Sequence, residues 1–310
     1  MLKSTTAGTK STRPQPHLRA YLGLGLGVLI LGTSAILIAL ANAPGPVSGF
    51  YRMGIGWLVL TGVAATRKKP KHVSPAGLWW GALAGLFFGL DMIFWTTGIM
   101  VASPTKTTLL ANTSPLWVGL GTMLLFKERH GILFWAGLAV ALSGSVLVVG
   151  PEIFAGTNLG DSSIYGMASA LFYGAFFIAA QHGRQQIDSL SFVRTSTLAS
   201  TLVLLITAIV LRQPLLGYSW QTYGWFLAMG MIVQATGWLV LTFVQGHLPA
   251  AIVSPTLLGQ PVLTAIFSAL IFGERFTPLD GLGGLAVLIG VLLVNFGQAK
   301  SKEAEVKEES

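Results

Sequence analysis

The sequence predicts an all-α membrane protein with ten transmembrane helices arranged as two inverted five-helix repeats. Three observations predict it: too few charges for a water-facing surface, ten apolar stretches of spanning length, and a chain that matches itself at a nearly constant offset. Of 310 residues, 10% are Asp, Glu, Lys or Arg and 53% are hydrophobic, whereas soluble domains carry roughly 25% charged residues. Mean hydropathy is +0.69. The 19 basic and 11 acidic residues gather near the termini and between the stretches. This excludes a soluble enzyme and a nucleic-acid-binding domain, and the net charge of +8 reads as Lys and Arg retained in loops on one face of a membrane. There is no cysteine, and the five histidines form no HxH or HExxH pair, so neither a thiolate nor a paired-histidine metal site is expected. No cofactor is implied.

A bilayer core takes about 20 apolar residues per helix. Ten stretches qualify, called here spans 1 to 10: Leu18 to Leu40, Val47 to Thr66, Pro75 to Met100, Thr105 to Phe126, Gly131 to Val149, Ser162 to Gln181, Leu190 to Leu211, Trp220 to Gln245, Pro249 to Phe272 and Pro278 to Gly297. Residues 1–17 and 298–310 are polar and poor in aromatics, which reads as disordered tails. Ala41-Asn42-Ala43 mimics a leader cleavage site, but the preceding apolar run is longer than a typical leader core and Pro44 follows at once; span 1 therefore reads as retained. With the N-terminus inside, fourteen Lys and Arg fall on the inner side, and only Lys106, Arg212 and Arg275 on the outer. Both termini are thus expected to be cytoplasmic.

The segment containing Pro115 lies over the one containing Pro261 at an offset of 146, which also pairs Phe126 with Phe272, Glu128 with Glu274, Arg129 with Arg275, Gly137 with Gly283 and Gly144 with Gly290. Earlier pairs follow at slightly shorter offsets: Gly81 with Gly224 and Trp95 with Trp238 at 143, then Gly32 with Gly174, Phe50 with Phe192 and Arg52 with Arg194 at 142. The first unit is expected over 18–150 and the second over 160–297. Five spans per unit is an odd number, so the second unit enters the membrane from the opposite side. Inverted repeats of this kind let a secondary transporter turn one cavity to either face.

Two stretches, SPLWVGLGTMLLFKER and QPVLTAIFSALIFGERFTPLDGLGGLAVLIGVLL, carry a resemblance. They look like the EamA-type repeats of the drug/metabolite transporter superfamily, and the likeness covers residues 18 to 297. Lys127 in place of the second copy's Gly273 is a departure from the repeat pattern. The resemblance implies ten helices, a central cavity between the halves, and export or exchange of small metabolites such as amino acids across a bacterial inner membrane.

Asp91 is the only acidic residue deep inside any span, and an intramembrane carboxylate should face the bundle interior or water. At 100° per residue, Trp80, Ala84, Phe87, Asp91 and Trp95 share one face of span 3. The repeat puts Gln234 and Trp238 at the matching positions of span 8. These polar-plus-indole pairs suit a solute with an amine and an apolar side chain. A structural pairing of Asp91 with Lys106 is the bland alternative. Gly77, Gly81, Gly85 and Gly89 form a smooth seam for close helix packing. Span 6 carries an aromatic stripe, of which Tyr173 and Phe177 are candidate cavity residues. Asn112 and Gln260 precede Pro115 and Pro261, where a missing backbone donor interrupts the helix. Arg52 and Arg194 read as snorkelling side chains, and Glu128-Arg129 and Glu274-Arg275 as local ion pairs at opposite faces.

The expected substrate-binding set is Asp91, Trp95, Asn112, Tyr173, Phe177, Gln234, Trp238 and Gln260. The partners are a small-molecule substrate and the lipid bilayer, with no nucleic acid. The function expected is a secondary transporter working by alternating access, with amino acids or related metabolites as cargo. Export of drugs or lipophilic cations is the alternative within that class, and a channel or intramembrane enzyme the alternative outside it. No nucleophile-base pair, His pair or Walker A motif lies in the sequence, which points away from catalysis and direct ATP drive. Proton coupling through Asp91 remains compatible.

Overall fold

The computed structural model describes residues 18–67, 74–101, 110–149, 160–272 and 278–308, and all regular structure among them is helical. Span 1 is Leu18–Gly32 and, after a turn at Thr33, Ser34–Ala41; span 2 is Gly45–Thr66 and span 3 Pro75–Val101. The described part of span 4 is Ser114–Phe126, and span 5 is Ile132–Val149. Gly160–Arg184 and Ser189–Val210 are spans 6 and 7. Span 8 is Trp220–Ala228, a π-helical segment Met229–Gly237, and Trp238–Gln245; span 9 is Ala250–Thr256 and Gly259–Phe272; span 10 is Pro278–Glu308. Among these residues seven helices are long and apolar enough to cross a membrane, and Ser114–Phe126 and Ile132–Leu147 are apolar but shorter. The chain is an all-α membrane protein of two inverted five-helix repeats.

Local chemistry sets the helix ends. Asp188 caps span 7 by accepting bonds from the Leu190 and Ser191 amides at 3.1 Å, and Ser219 caps span 8 through the Thr222 amide at 3.1 Å, each satisfying donors a helix start leaves free. Asn42, Lys127 and Arg212 end spans 1, 4 and 7 with left-handed backbones, at φ of 46°, 57° and 50°. Span 10 runs on as helix past Gly297 to Glu308, over most of the polar tail expected to be disordered. The tail is rich in Glu, Lys and Ala, all good helix formers, and Glu303 precedes Lys307 by one turn, in the favourable orientation.

The inversion is visible in which glycines meet. A Cβ built on Gly144 would lie 2.6 Å from the Gly283 carbonyl oxygen, and one on Gly137 2.8 Å from that of Gly290. In the repeat Gly137 matches Gly283 and Gly144 matches Gly290, so the equivalent glycines pair crosswise. Parallel helices would pair like with like; crosswise pairing means that spans 5 and 10 run antiparallel about a pseudo-two-fold axis. Phe134, Leu138 and Ala141 of span 5 and Val287 and Val294 of span 10 fill the seam around them.

Spans 3 and 7, by contrast, run parallel. Gly81 meets Thr195, Gly85 meets Ala199 and Gly89 meets Val203, each step of four on one helix matched by four on the other. The predicted glycine seam therefore faces span 7. There Ser200 Oγ donates to the Gly85 carbonyl at 2.7 Å. A larger cluster, including Phe88, Val118, Phe176, Phe177, Phe192 and Trp238, fills the space among spans 1 to 4 and 6 to 9. Leu124, Leu125, Ile132, Ile206 and Leu270 are exposed on the outside, where lipid tails cover them at no cost.

Three outcomes follow for unfolding in detergent. At Gly85 a side chain would run into the Ser196 carbonyl and Ala199, so Gly85→Val should destabilise by about 1–3 kcal/mol or more. Gly62→Ala, where nothing lies within 4 Å, should leave the midpoint unchanged. Lys127→Gly should stabilise by about 1 kcal/mol, because glycine removes the Cβ clash of the left-handed conformation.

Candidate functional site

Interrupted helices frame the site. Span 9 carries Pro255 inside its first segment and turns at Leu257 and Leu258 before Gly259. Span 4 turns at Asn112 and Thr113 before Pro115, at nearly the same place in the repeat. Each proline removes a backbone donor, which is tolerated at membrane depth only inside protein or beside a cavity. The break in span 1 sits against the break in span 9: Gly32 packs on Leu263, and Thr264 Oγ1 donates to the Gly32 carbonyl at 2.9 Å. Ser34 and Gln260, just beyond these two breaks, lie close to charge.

That charge is a buried pair. Asp91 of span 3 is 4% exposed and Arg52 of span 2 is 5% exposed. Ser169 Oγ of span 6 donates to Asp91 Oδ1 at 2.6 Å, and Arg52 Nη1 donates to Ser34 Oγ at 3.1 Å. The two charges act on one another, and both act on Tyr173, whose hydroxyl is within hydrogen-bonding reach of Gln260. Snorkelling is therefore the wrong reading of Arg52. It lies seven residues in from Gly45, about 10 Å at 1.5 Å per residue, on the buried face of span 2 with Ser48, Gly49, Met53 and Gly56. Desolvation makes a lone buried charge expensive, and an opposite charge nearby offsets that. The other suggested partner of Asp91, Lys106, lies outside the described residues, as do Glu274 and Arg275.

Aromatic rings continue the site one turn along. Phe88 of span 3 lies 4.7 Å from Trp238 and 5.2 Å from Phe176, measured between ring centroids. Phe176 lies 5.1 Å from Trp238, and Tyr173 lies 4.9 Å from Phe177. Three spans, 3, 6 and 8, thus supply one aromatic wall. Of the expected residues, Asp91, Tyr173, Phe177, Trp238 and Gln260 come together here. Gln234 points elsewhere, with Nε2 bonded to Thr197 Oγ1 of span 7 at 2.9 Å and its stem against Gly56. Asn112 stands at the span 4 turn with Nδ2 buried and unpartnered. Trp95 is half-buried one turn beyond Asp91. Sequence reasoning missed Ser34, Ser169 and Phe88, read Arg52 as snorkelling, and had Phe176 only as part of the aromatic stripe of span 6. Phe88 could have been found, since it sits three residues before Asp91.

Several polar atoms near the breaks and the aromatic wall are buried with no partner among the described residues: Arg52 Nε, Gln234 Oε1, Trp238 Nε1, Trp117 Nε1 and Ser254 Oγ, besides Asn112 Nδ2. Each such atom costs roughly 1–3 kcal/mol. Others, among them Ser145 Oγ, Trp225 Nε1 and Asn295 Oδ1, lie elsewhere in the bundle.

The end where spans 6 and 8 finish is knitted shut. Gln181 Nε2 donates to Glu128 Oε1 at 2.9 Å, and Gln181 Oε1 accepts from the Ala250 amide at 2.5 Å. One amide thereby joins span 6, the turn after span 4 and the start of span 9. Arg184 Nε donates to the Thr242 carbonyl of span 8 at 2.7 Å, and the Arg184 guanidinium also holds the Ile187 carbonyl. His182 stacks on Phe126. Burial raises the pKa of Asp188, but bonds from Ser191 and Leu190 and the Arg184 charge outweigh it, leaving the carboxyl below its ordinary value. A groove of about 370 Å³ lined by Arg67, Asp188, Ser189, Leu190, Leu239, Val240 and Phe243 opens at this end, and none of the eight expected residues lines it. Among the described residues no cluster of three or more His, Asp or Glu could hold a metal ion.

Known proteins share this architecture. The model of the EamA-like transporter family matches residues 18–150 and 162–296. The uncharacterized transporter YoaV of Bacillus subtilis is 22% identical over 293 residues, covering 92% of this chain and 99% of YoaV. The pseudopaline exporter CntI of Pseudomonas aeruginosa is 24% identical over 279 residues, covering 88% of this chain and 95% of CntI. A crystal structure 18% identical in sequence superposes with a TM-score of 0.75, covering 89% of this chain and 97% of the other; at that identity it speaks for the fold alone. Two matched repeats that cover almost the whole chain, with crosswise glycines at their junction, make the chain a member of the EamA-like transporter family, an integral membrane protein that moves small molecules across the membrane.

Proposed function

We propose that the chain exports amino acids or closely related metabolites from a bacterial cell, by alternating access between the two halves, with both termini in the cytoplasm. The observation that carries this reading is the buried Arg52 and Asp91 pair placed where interrupted spans meet between inverted repeats. Intramembrane ionisable groups mark solute or proton pathways. Inverted repeats bind their cargo near the midplane, at discontinuous helices. CntI, an exporter by name, supports the direction of transport. The bridge through Gln181 and Arg184 supports a state closed toward the cytoplasm, since it lies at the end rich in Lys and Arg. The other half has Ala39 where Gln181 stands and Asn42 where Arg184 stands, so the opposite closure lacks the same bonds.

Export of lipophilic cations is the second reading, and the carboxylate of Asp91 beside the aromatic wall favours it. Arg52 weighs against it, because a cationic cargo would meet like charge.

Labelling settles the topology cleanly because the protein has no native cysteine. Ala43 and Gln185 are repeat equivalents, and single cysteines there should react with an impermeant maleimide from opposite faces of intact cells; reaction from the same face would refute the inverted orientation. Proteoliposomes loaded with an amino acid mixture should show saturable exchange of particular amino acids. Asp91→Asn should lower that exchange about tenfold or more, tenfold corresponding to about 1.4 kcal/mol. It should also remove any acceleration by an imposed pH gradient, and exchange with unchanged pH dependence in this variant would exclude Asp91 as the coupling group.

A further inference from the structure

We infer that Arg52 receives a carboxylate of the cargo while Asp91 receives its ammonium group, so the protein selects zwitterions. The inference deepens the exporter reading and rests on it. A guanidinium offers five N–H donors in a planar fork, and a carboxylate engages such a fork through two parallel bonds. Among the described residues Arg52 makes one hydrogen bond, from Nη1 to Ser34 Oγ. Its Nε is buried. Nε and a neighbouring Nη together make the side-on fork through which a guanidinium takes a carboxylate, and the Nε of this fork has no partner among the described residues.

Asp91 faces Arg52 electrostatically but is itself held to span 6, with Oδ1 accepting from Ser169. Its charge acts on the arginine. When a zwitterion enters, its carboxylate takes Arg52 and its ammonium takes Asp91, so no charge is left uncompensated at any stage. Cargo with only an ammonium would strand Arg52, and cargo with only a carboxylate would strand Asp91. The repeat adds an independent point. Arg194, the counterpart of Arg52, also has a buried, unpartnered Nε, yet the counterpart of Asp91 is neutral Gln234, bonded to Thr197. The second half therefore has no carboxylate at the position equivalent to Asp91, which leaves the pairing of opposite charges to the first half. Trp238, Phe88 and Phe176, one turn from Asp91, form the wall for its apolar side chain.

The test uses the full chain reconstituted in liposomes, with phenylalanine, leucine and glutamine each supplied as free acid, methyl ester and decarboxylated amine. For the wild type, the free acid of at least one series should compete for exchange roughly tenfold better than its ester or amine. Arg52→Gln should erase that preference and favour the amine, while Arg52→Lys should keep part of it. The double variant Arg52→Gln with Asp91→Asn removes both charges, so it stays balanced should the single variant misfold, and it should lose the preference for the acid as well. A wild type that exchanges amines or esters as well as acids would overturn the role of Arg52 and leave the exporter reading standing. So would an Arg52→Gln protein, or a folded double variant, with unchanged selectivity. Absence of exchange for every compound would overturn both.

Discussion

Close backbone contact between spans 5 and 10 is the constraint on which the rest of the structure depends. In lipid no hydrophobic drive pulls helices together, and van der Waals contact between smooth surfaces has to do so. Gly137 and Gly144 supply that smoothness from one half, Gly283 and Gly290 from the other. Because equivalent residues meet crosswise, the contact admits only an antiparallel arrangement. The antiparallel arrangement in turn places equivalent spans at opposite depths. Spans 1, 2, 3, 6 and 9 can therefore bring Ser34, Arg52, Asp91, Tyr173 and Gln260 together from both halves.

Burial of charge is the second constraint, and it acts on the first. Arg52 and Asp91 come from spans 2 and 3 of the same half, but the hydrogen bond that fixes Asp91 comes from Ser169 in span 6 of the other. Separating the halves would therefore disturb the setting of Asp91 as well as the packing. The aromatic wall has the same character, with Phe88 of the first half edge-on to Trp238 of the second. Chemistry and mechanical coupling share residues, so a solute that alters one acts on the other.

Fold class and topology were legible in the sequence because lipid imposes simple rules: apolar length, basic loops and an odd repeat. The ends of helices were less so. Asp188 and Ser219 are recognisable caps, but Lys127 at φ 57° is an arginine-like surface residue in a glycine's place, and only the repeat gives the hint. Of the site, Asp91 could be read because a carboxylate is rare within a span, and Trp238 because the repeat matches it to Trp95 on the same face as Asp91. Arg52 was misread, since sequence fixes its depth along the helix but not its azimuth toward Asp91. Gln234 was placed with Asp91 by repeat symmetry, and it bonds to Thr197 instead because the two halves do not have identical helices. Span 3 is α-helical throughout, whereas its counterpart is interrupted by a π segment.

That π segment, Met229–Gly237, has a consequence for shape change. A π turn holds more residues per turn than an α turn, so recoiling it as α-helix would rotate everything beyond it. One residue's worth of rewinding turns the downstream helix by about 100° and shifts it about 1.5 Å. Trp238 is the first residue downstream, so such a twist would swing its indole out from between Phe88 and Phe176. Span 8 thus contains a coil with one residue's stroke that span 3, its counterpart in the repeat, lacks.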